Sequence, residues 1–531
     1  MKSKISIYIV FVTIFLSSCG NDFLTLTPKD TVTESGFFIT EEDANSALAG
    51  VYATLQDEAA FANVRNAADI EWAITGDLYE MDRSANRIEL HSLRFPANNT
   101  ILRDVYSRAY MGISRANVVL ERIPQMNIDQ AVKDLILGQA LFIRGLYYYN
   151  LVHFFGGVPL VTTELTASDD LQIPRATADE IWDQVEKDFL AAADMLPEAW
   201  VNDADLGRAT RTAAWGFLVK AYLWREKWDD AITYSERIIN TGRHALIQTG
   251  FRDIFREENE NNEEILFSTQ FSTQTGEQNN LVARTAPRGA PSIYTGPSAW
   301  SNFVPNHQLV DAFEVNKDNS IRDDRYSVIM GPGEIHPENG YQLPEVPPAG
   351  MTRTGYIVTK YWYMPPVQGS GINAPILRYS EVLLNYAEAV YERDDKISNT
   401  DLNISLNLVR LRVNPAMTPL TNELITQNAG MDMRTEIRRE RTIELFNEGF
   451  RLDDLKRWKT AETEMPMDIV GIQWKGTEYE KVWANCPYET NAEGCIIIEK
   501  GRKWEEKNYL FPLPSDQLQL NPNLQQNPGW E

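Results

Sequence analysis

The chain has 531 residues, of which 43% are hydrophobic and 24% are charged, a composition that excludes disorder of the whole chain. Asp and Glu number 75 against 50 Lys and Arg, and the resulting formal charge of −25 argues against nucleic acid as a partner, because a phosphate backbone is neutralised by a basic surface. The 13 Trp, 22 Tyr and 21 Phe supply more aromatic surface than a core of this size requires, so we expect some of it to face a ligand.

The first twenty residues have the pattern of an export signal. Lys2 and Lys4 precede an apolar run of about a dozen residues, which is too short for a membrane-spanning helix of about 20. The run ends at residues 16–19, Leu-Ser-Ser-Cys, which resemble the lipobox of bacterial lipoproteins. We therefore predict a signal peptide at residues 1–18 and lipidation of Cys19; the alternative is an ordinary signal peptide that contains a cysteine by chance.

Helical periodicity dominates from about residue 41 to residue 201. Its clearest element begins at Asp129, a residue suited to an N-cap, and ends before Gly156 and Gly157. Two further helix pairs are predicted over residues 212–224 with a helix from Trp228, and over residues 376–393 with 401–412. Small Ala residues facing large aromatics in such pairs are typical of tetratricopeptide-like hairpins. Because long insertions separate the pairs, we expect a helical scaffold with elaborations rather than a regular solenoid.

The main elaboration lies between about residues 249 and 375. It contains a predicted strand at 264–268 and is otherwise rich in Gly, Pro, Asn and Ser. Long irregular segments of this kind inside a compact protein are usually functional. A second mixed segment, residues 465–507, includes a strand-like run at 496–498.

Two of the three cysteines, Cys486 and Cys495, lie in this second segment. Three cysteines are too few for a disulfide scaffold. In an exported chain, however, this pair is expected to form a structural disulfide that closes a local loop.

Motifs of catalytic and metal sites are absent from the sequence. The five histidines show no short metal-ligand spacing, no Gly-x-Ser-x-Gly elbow occurs, and no calcium-loop pattern is visible. Carboxylates are abundant, but no pair has the local setting of a glycoside hydrolase. We therefore predict no metal site, no cofactor and no catalytic residue.

Residues 434–449 form the densest charged run. Helical spacing places Arg441 three residues before Glu444, and Glu436 three residues before Arg439, so the run is able to pair its own charges. We expect an ion-pair network inside the fold rather than an active site.

Short motifs are arranged along the chain in a characteristic order. They are Cys19 with residues 22–24, then residues 140–148, 155–159, 377–381, 387–389, 440–451, 454–458, 509–514 and 527–530. Each is weak alone, but together they resemble the SusD/RagB family of starch-utilisation-type outer-membrane lipoproteins of Bacteroidota. The resemblance spans essentially the whole mature chain.

This resemblance implies a mostly α fold, the SusD-like fold, in which a scaffold of four tetratricopeptide-like helix hairpins carries long loop and small β insertions. It implies one SusD-like domain over residues 19–531. Within that domain, an N-terminal part covers residues 19–245 and a C-terminal RagB/SusD part covers residues 246–531 with the ligand loops.

The resemblance also implies a function. A lipid anchor would hold the protein on the extracellular side of the outer membrane, where it captures an oligosaccharide or polysaccharide and delivers it to a SusC-like TonB-dependent transporter. No catalysis is implied. The alternatives are a peptide-binding member of the family and, from another class, a surface glycoside hydrolase.

Sites in the family draw on the loop after the first helices and on the long central insertion, where aromatic faces stack on sugar rings and polar groups fix the hydroxyls. These regions supply Trp72, Asp77, Tyr79 and Arg83 from the first, and Tyr294, Trp300, Phe303, Tyr361 and Trp362 from the second. Trp300 is the strongest candidate, because its Gly/Pro-bounded polar loop shows no helical stripe; a core position is an equal alternative for the other aromatics. The acidic net charge disfavours uronic or sulfated ligands, although a basic pocket would override it.

Overall fold

The protein, seen in a computed structural model, is mostly helical with small β-sheets, as the sequence predicts. The structure describes residues 37–530 apart from 57–74, 76–77, 81–84, 275–276, 289–298, 302, 317–319, 322, 363–369, 413, 415–416, 466 and 484–488. The predicted signal peptide and the predicted lipidation site, Cys19, lie outside the described residues. Within them, no helix combines the length and the apolar character that a membrane crossing requires.

The described helices run from the N-terminal scaffold to the C-terminal tail. They are α1 (Glu41–Tyr52), α2 (Ala85–His91), α3 (Thr100–Arg122), α4 (Gln130–Phe155), α5 (Ala178–Met195), α6 (Arg211–Trp224), α7 (Trp228–Asn240), α8 (Leu281–Thr285), α9 (His307–Asp311), α10 (Tyr379–Asp394), α11 (Asn399–Ile404), α12 (Leu406–Leu411), α13 (Asn422–Gln427), α14 (Met433–Leu445), α15 (Arg451–Trp458), α16 (Ala461–Glu464), α17 (Glu478–Val482) and α18 (Ser515–Leu520).

The strands are short and pair antiparallel in twos. They are β1 (Leu78–Glu80), β2 (Ile265–Thr269), β3 (Phe303–Pro305), β4 (Ile329–Met330), β5 (Ile357–Val358), β6 (Ala374–Arg378), β7 (Ile469–Gln473) and β8 (Cys495–Glu499). The pairs are β1 with β3, β2 with β6, β4 with β5, and β7 with β8. The strands predicted at residues 264–268 and 496–498 are thereby confirmed as β2 and β8.

Helix α4 is the central element of the scaffold. As predicted, it begins after the N-cap Asp129, whose carboxylate accepts a hydrogen bond from the Ala131 backbone N–H at 2.8 Å, and it ends at Gly156, whose φ of +71° suits glycine. It packs between α3 and α5. Arg144 of α4 joins all three helices, because its guanidinium donates to Asp188 of α5 at 2.7 and 2.9 Å and to Asn117 of α3 at 2.9 Å.

The two later helix pairs confirm the prediction in part. The predicted pair at residues 212–224 and from Trp228 is found as α6 and α7. The element predicted as a helix over 376–393 begins instead as strand β6, because its first residues pair with β2, and α10 starts only at Tyr379. The predicted helix over 401–412 is two short helices, α11 and α12, which are separated at Ser405.

The C-terminal tail closes over the end of α4. The Phe511 backbone N–H donates to the Phe154 carbonyl at 2.7 Å, and the two rings stack with centroids 5.5 Å apart. The Asn527 side chain donates to the Phe155 carbonyl at 3.0 Å. The last residues of the chain thus satisfy carbonyl groups at the end of α4, which have no partner within the helix.

A buried network of ion pairs joins the central insertion to the scaffold. Its centre is Arg378, which is 1% exposed. The guanidinium of Arg378 donates to Glu264 at the start of β2 at 2.6 Å, to Glu444 of α14 at 3.0 Å, and to Glu448 at 2.7 Å. Arg412 bridges two of the same carboxylates, donating to Glu264 and Glu444 at 2.8 Å each.

The network predicted for residues 434–449 exists, but half of its predicted pairing is wrong. Glu436 and Arg439 pair at 2.5 Å as expected. Arg441 does not pair with Glu444; it donates to Asp454 of α15 at 2.7 Å. Arg441 and Glu444 lie on the buried side of α14, where their side chains reach across to other elements rather than along the helix.

The ionisation state of each group in this network depends on the charged groups beside it. Burial raises the pKa of Glu444, but the guanidinium groups of Arg412, Arg378 and Arg325 outweigh burial and hold its pKa at about 2. Burial lowers the pKa of Lys360 to about 8, although its ammonium donates to Glu448 at 2.6 Å. The carboxylate of Glu444 is therefore ionised at every pH at which the protein is expected to be folded.

His336 lies buried in the insertion, with its ring centroid 4.8 Å from that of Trp362. Its Nδ1 accepts the backbone N–H of Glu338 at 3.3 Å, and its Nε2 lies 2.9 Å from the Trp362 carbonyl oxygen. Burial first, and then the charge of Arg252, lower the pKa of His336 to about 4. The imidazole is therefore neutral in the folded protein at neutral pH.

Cys495, at the start of β8, has a free thiol in the structure, and the Cys486–Cys495 disulfide stays a prediction. Hydrogen bonds hold the loop before β8. The Cys495 N–H donates to Asn491 Oδ1 at 2.8 Å, and the Asn491 N–H donates to the Cys495 carbonyl at 3.0 Å. Cys486 lies outside the described residues.

We expect Glu444→Gln to lower the free energy of unfolding by about 3–5 kcal/mol, because it leaves Arg378 and Arg412 buried with an uncompensated charge. Urea unfolding followed by circular dichroism measures the change. Glu478→Gln, which alters an exposed pair with Lys481, is the matched control and should leave the midpoint unchanged. Equal midpoints for the two variants would contradict a structural role for the network.

Acidification should destabilise the protein through His336. Since the folded pKa of about 4 lies below the unfolded value near 6.5, the stabilising contribution is complete above pH 6.5 and is lost as the pH falls towards 4. We expect His336→Asn to reduce the loss of unfolding free energy between pH 7 and pH 4 by about 1–3 kcal/mol. Urea midpoints at several pH values test this, and parallel declines in the two proteins would count against it.

Candidate functional site

The structure brings together the two chain segments that the sequence analysis singled out. Strand β1 comes from the region after the first helices, and β3 comes from the central insertion. They pair antiparallel, with Tyr79 opposite Val304 and Glu80 opposite Phe303. The predicted residue Tyr79 therefore lies at a fixed register position beside the insertion.

Trp300 lies three residues before β3 and is partly exposed. Its backbone N–H donates to the Ala283 carbonyl of α8 at 2.7 Å, and the next N–H, that of Ser301, donates to the Ala286 carbonyl at 3.0 Å. Ser301 has a φ of +49°, a conformation that a residue other than glycine rarely adopts. The turn that presents Trp300 is thus clamped through its backbone, independently of the indole.

Arg288 is a neighbour of Trp300 that the sequence analysis missed. Its side chain is exposed, and its guanidinium donates to the Trp300 carbonyl at 3.4 Å. Its backbone N–H donates to Ser301 Oγ at 2.5 Å, which ties the two ends of this loop together. The sequence feature that could have identified Arg288 is its position close to Trp300 in the same polar Gly/Pro-rich loop.

Three of the predicted aromatics lie in the interior. Phe303, Tyr361 and Trp362 are each at most 1% exposed and belong to the apolar core of the insertion. The Tyr361 hydroxyl donates to the Asn447 carbonyl at 3.1 Å, and the Trp362 ring packs against Tyr341 with centroids 5.3 Å apart. In this conformation none of the three offers a ring face to a ligand.

The same core explains why Tyr361 and Trp362 are buried. Lys360, directly before them, donates to the Phe446 carbonyl at 2.7 Å and to Glu448. Its ammonium lies 4.6 Å from the ring centroid of Phe255. This anchored lysine draws the next two residues inward, a contact that the local sequence does not reveal.

The remaining predicted site residues, Trp72, Asp77, Arg83 and Tyr294, lie outside the described residues, and for Tyr79 the structure describes the backbone alone. Among the residues that the structure describes, no cluster of His, Cys, Asp and Glu has the arrangement of a metal site. The described geometry thus supplies a partly exposed indole and an exposed guanidinium beside a turn that backbone hydrogen bonds hold. Such a pair suits the binding of an uncharged polar ligand with apolar faces.

Two family descriptions match the chain. Residues 263–530 match the SusD family, and residues 22–223 match the family described as starch-binding, associating with the outer membrane. A relative, SusD-like protein P2 of Formosa agariphila, is 25% identical over 98% of this chain and 99% of its own length.

Solved structures share the fold. A SusD-like carbohydrate-binding protein of Bacteroides fragilis superposes with a TM-score of 0.78 at 22% identity, covering 92% of this chain and 100% of its own. Surface glycan-binding protein A of Bacteroides fluxus gives a TM-score of 0.71 at 21% identity, with coverages of 92% and 100%. Since one of the family matches alone spans half of the sequence, the chain belongs to the SusD family.

Proposed function

We propose that the protein is a cell-surface glycan-binding lipoprotein. The observation that carries this proposal is the partly exposed Trp300 beside the exposed Arg288, held on a backbone-clamped turn next to the β1–β3 pair. An indole packs against the apolar face of a pyranose ring, and a guanidinium donates to its hydroxyls. The carbohydrate-binding and glycan-binding descriptions of relatives with this fold support the same ligand class.

The further parts of the proposal concern where the protein acts and with what. We infer that Cys19 carries the lipid anchor, that the domain faces the outside of the outer membrane, and that it passes glycan to a SusC-like TonB-dependent transporter. The family description that includes association with the outer membrane supports this location. A surface protein that binds glycan without cleaving it would contribute to uptake by delivering the glycan to a transporter.

We propose that the protein binds glycan without cleaving it, which the described residues of the site support. An aromatic face and a guanidinium orient a sugar, but cleavage of a glycosidic bond needs two carboxyl groups at a defined separation around that bond. A panel of polysaccharides, assayed for retardation in affinity gels and for released reducing ends, distinguishes binding from hydrolysis. Retardation without product is expected, and turnover that persists through repurification would favour the surface glycoside hydrolase.

Replacement of Trp300 tests the site itself. We expect Trp300→Ala to weaken binding of the retained glycan by about tenfold or more, since it removes the stacking face, while Trp300→Phe retains part of the affinity. Isothermal titration calorimetry measures both. Trp228→Ala, at the first residue of α7 in the scaffold, is the control for the loss of a tryptophan. Unchanged affinity in Trp300→Ala, with a normal unfolding midpoint, would remove Trp300 from the site.

The anchor is tested by Cys19→Ala. We expect the wild-type protein to sediment with outer membranes and the variant to lose this association, because the acyl chains on Cys19 are its proposed attachment. Mass spectrometry of the mature N-terminus should find acylated Cys19 in the wild type. A mature protein that begins elsewhere and bears no lipid would support the ordinary signal peptide.

A further inference from the structure

A groove of about 620 Å³ lies far along the chain from Trp300, between the segment after α2 and the C-terminal tail. Its volume is in the range of small-molecule sites. The residues that give it its chemistry are Arg94, Phe95, Lys503, Glu505, Lys507 and Trp530. None of them contributes to the Trp300 turn.

The aromatic wall of the groove is rigid. The Trp530 ring stacks on the buried Phe95, with centroids 5.1 Å apart. Its indole N–H donates to the carbonyls of Leu510 at 2.8 Å and of Lys507 at 3.1 Å. Trp530 remains partly exposed at the border of the groove, and the Lys507 ammonium lies 4.8 Å from its ring centroid.

The charge of the groove is opposite to that of the chain. Three cations line it, and among the lining residues that the structure describes the single carboxylate is Glu505. Lys503 and Lys507 share this carboxylate, at 3.4 and 3.1 Å. Arg94 is exposed, and its guanidinium donates to the Gly501 carbonyl at 3.4 Å. Burial raises the pKa of the nearby Glu499 carboxyl, and the charges of Arg502 and Arg94 oppose that rise. In a protein with a formal charge of −25, a locally positive groove is a departure that net charge does not reveal.

We propose that this groove binds an acidic sugar residue, a uronate or a sulfated pyranose, of the glycan that the protein captures. The anionic group would accept hydrogen bonds from Arg94 and Lys503, beside the Trp530 ring and the Lys507 ammonium that lies over it. This inference rests on the proposed glycan-binding function and narrows its ligand to acidic polysaccharides. It also reverses the expectation, drawn from net charge, that such polymers are disfavoured.

The test uses the full mature protein and pairs of sugars in which one member is acidic and the other is neutral. Oligogalacturonate is compared with its fully methyl-esterified form, and a sulfated cello-oligosaccharide with its unsulfated form, by isothermal titration calorimetry at low and moderate salt. We expect at least one acidic member to bind more tightly than its neutral counterpart, with an affinity that falls as salt rises.

The groove variant is Arg94→Gln/Lys503→Gln, which leaves Lys507 and Trp530 in place so that the fold is preserved. It should lower the affinity for the acidic sugar by about tenfold or more and leave the neutral counterpart unaffected. Lys396→Gln/Lys481→Gln removes the same charge from exposed positions outside the groove and should behave as wild type.

The outcomes separate this inference from the proposed function. Equal affinity of the groove and control variants for the acidic sugar overturns the inference, as does the absence of any preference for acidic sugars. If neutral glycans still bind and Trp300→Ala weakens that binding, the proposed glycan-binding function stands even though the inference about the groove fails. Groove-dependent binding of phosphatidylglycerol vesicles, with no acidic sugar bound, also overturns it in favour of a lipid headgroup.

Discussion

Charges removed from water hold the molecule together at the junction of scaffold and insertion. Arg378 and Arg412 share the carboxylates of Glu264 and Glu444, which come from the start of β2 and from α14. Burying ions is costly unless each has its partners at the right distance, so moving β2 or α14 away would leave a buried charge unpaired. The insertion that carries the Trp300 turn is held to the scaffold at this point.

Local signals predicted the elements well, and non-local contacts account for the errors. Asp129 and Gly156 marked the ends of α4 because capping depends on adjacent residues. Residues 376–378 were predicted as helix, since apolar spacing in a short run does not separate a strand from a helix; their partner β2 lies more than a hundred residues away. Arg441 was paired with Glu444 because the two lie three residues apart on a helix, whereas Asp454 on another helix is its partner.

The exposure of the predicted site residues was likewise only partly predictable from the local sequence. Trp300 was predicted from its polar surroundings and is partly exposed, but Tyr361 and Trp362 have equally irregular surroundings and are buried. Tyr361 and Trp362 differ from Trp300 because they follow Lys360, whose buried ion pair with Glu448 cannot be predicted from the local sequence. Whole-chain charge averages over the surface, so it does not report a groove lined by Arg94, Lys503 and Lys507.

The tail that closes over α4 sets the order in which the chain completes its fold. Phe511 and Asn527 supply partners to carbonyls at the end of a helix formed more than 350 residues earlier. Such distant contacts delay folding, because the intervening chain has to be available before they form. A chain that emerges N-terminus first therefore gains these two contacts at the end of α4 only when its final residues are in place, whereas Arg175, which also donates to the Phe155 carbonyl, is available much earlier.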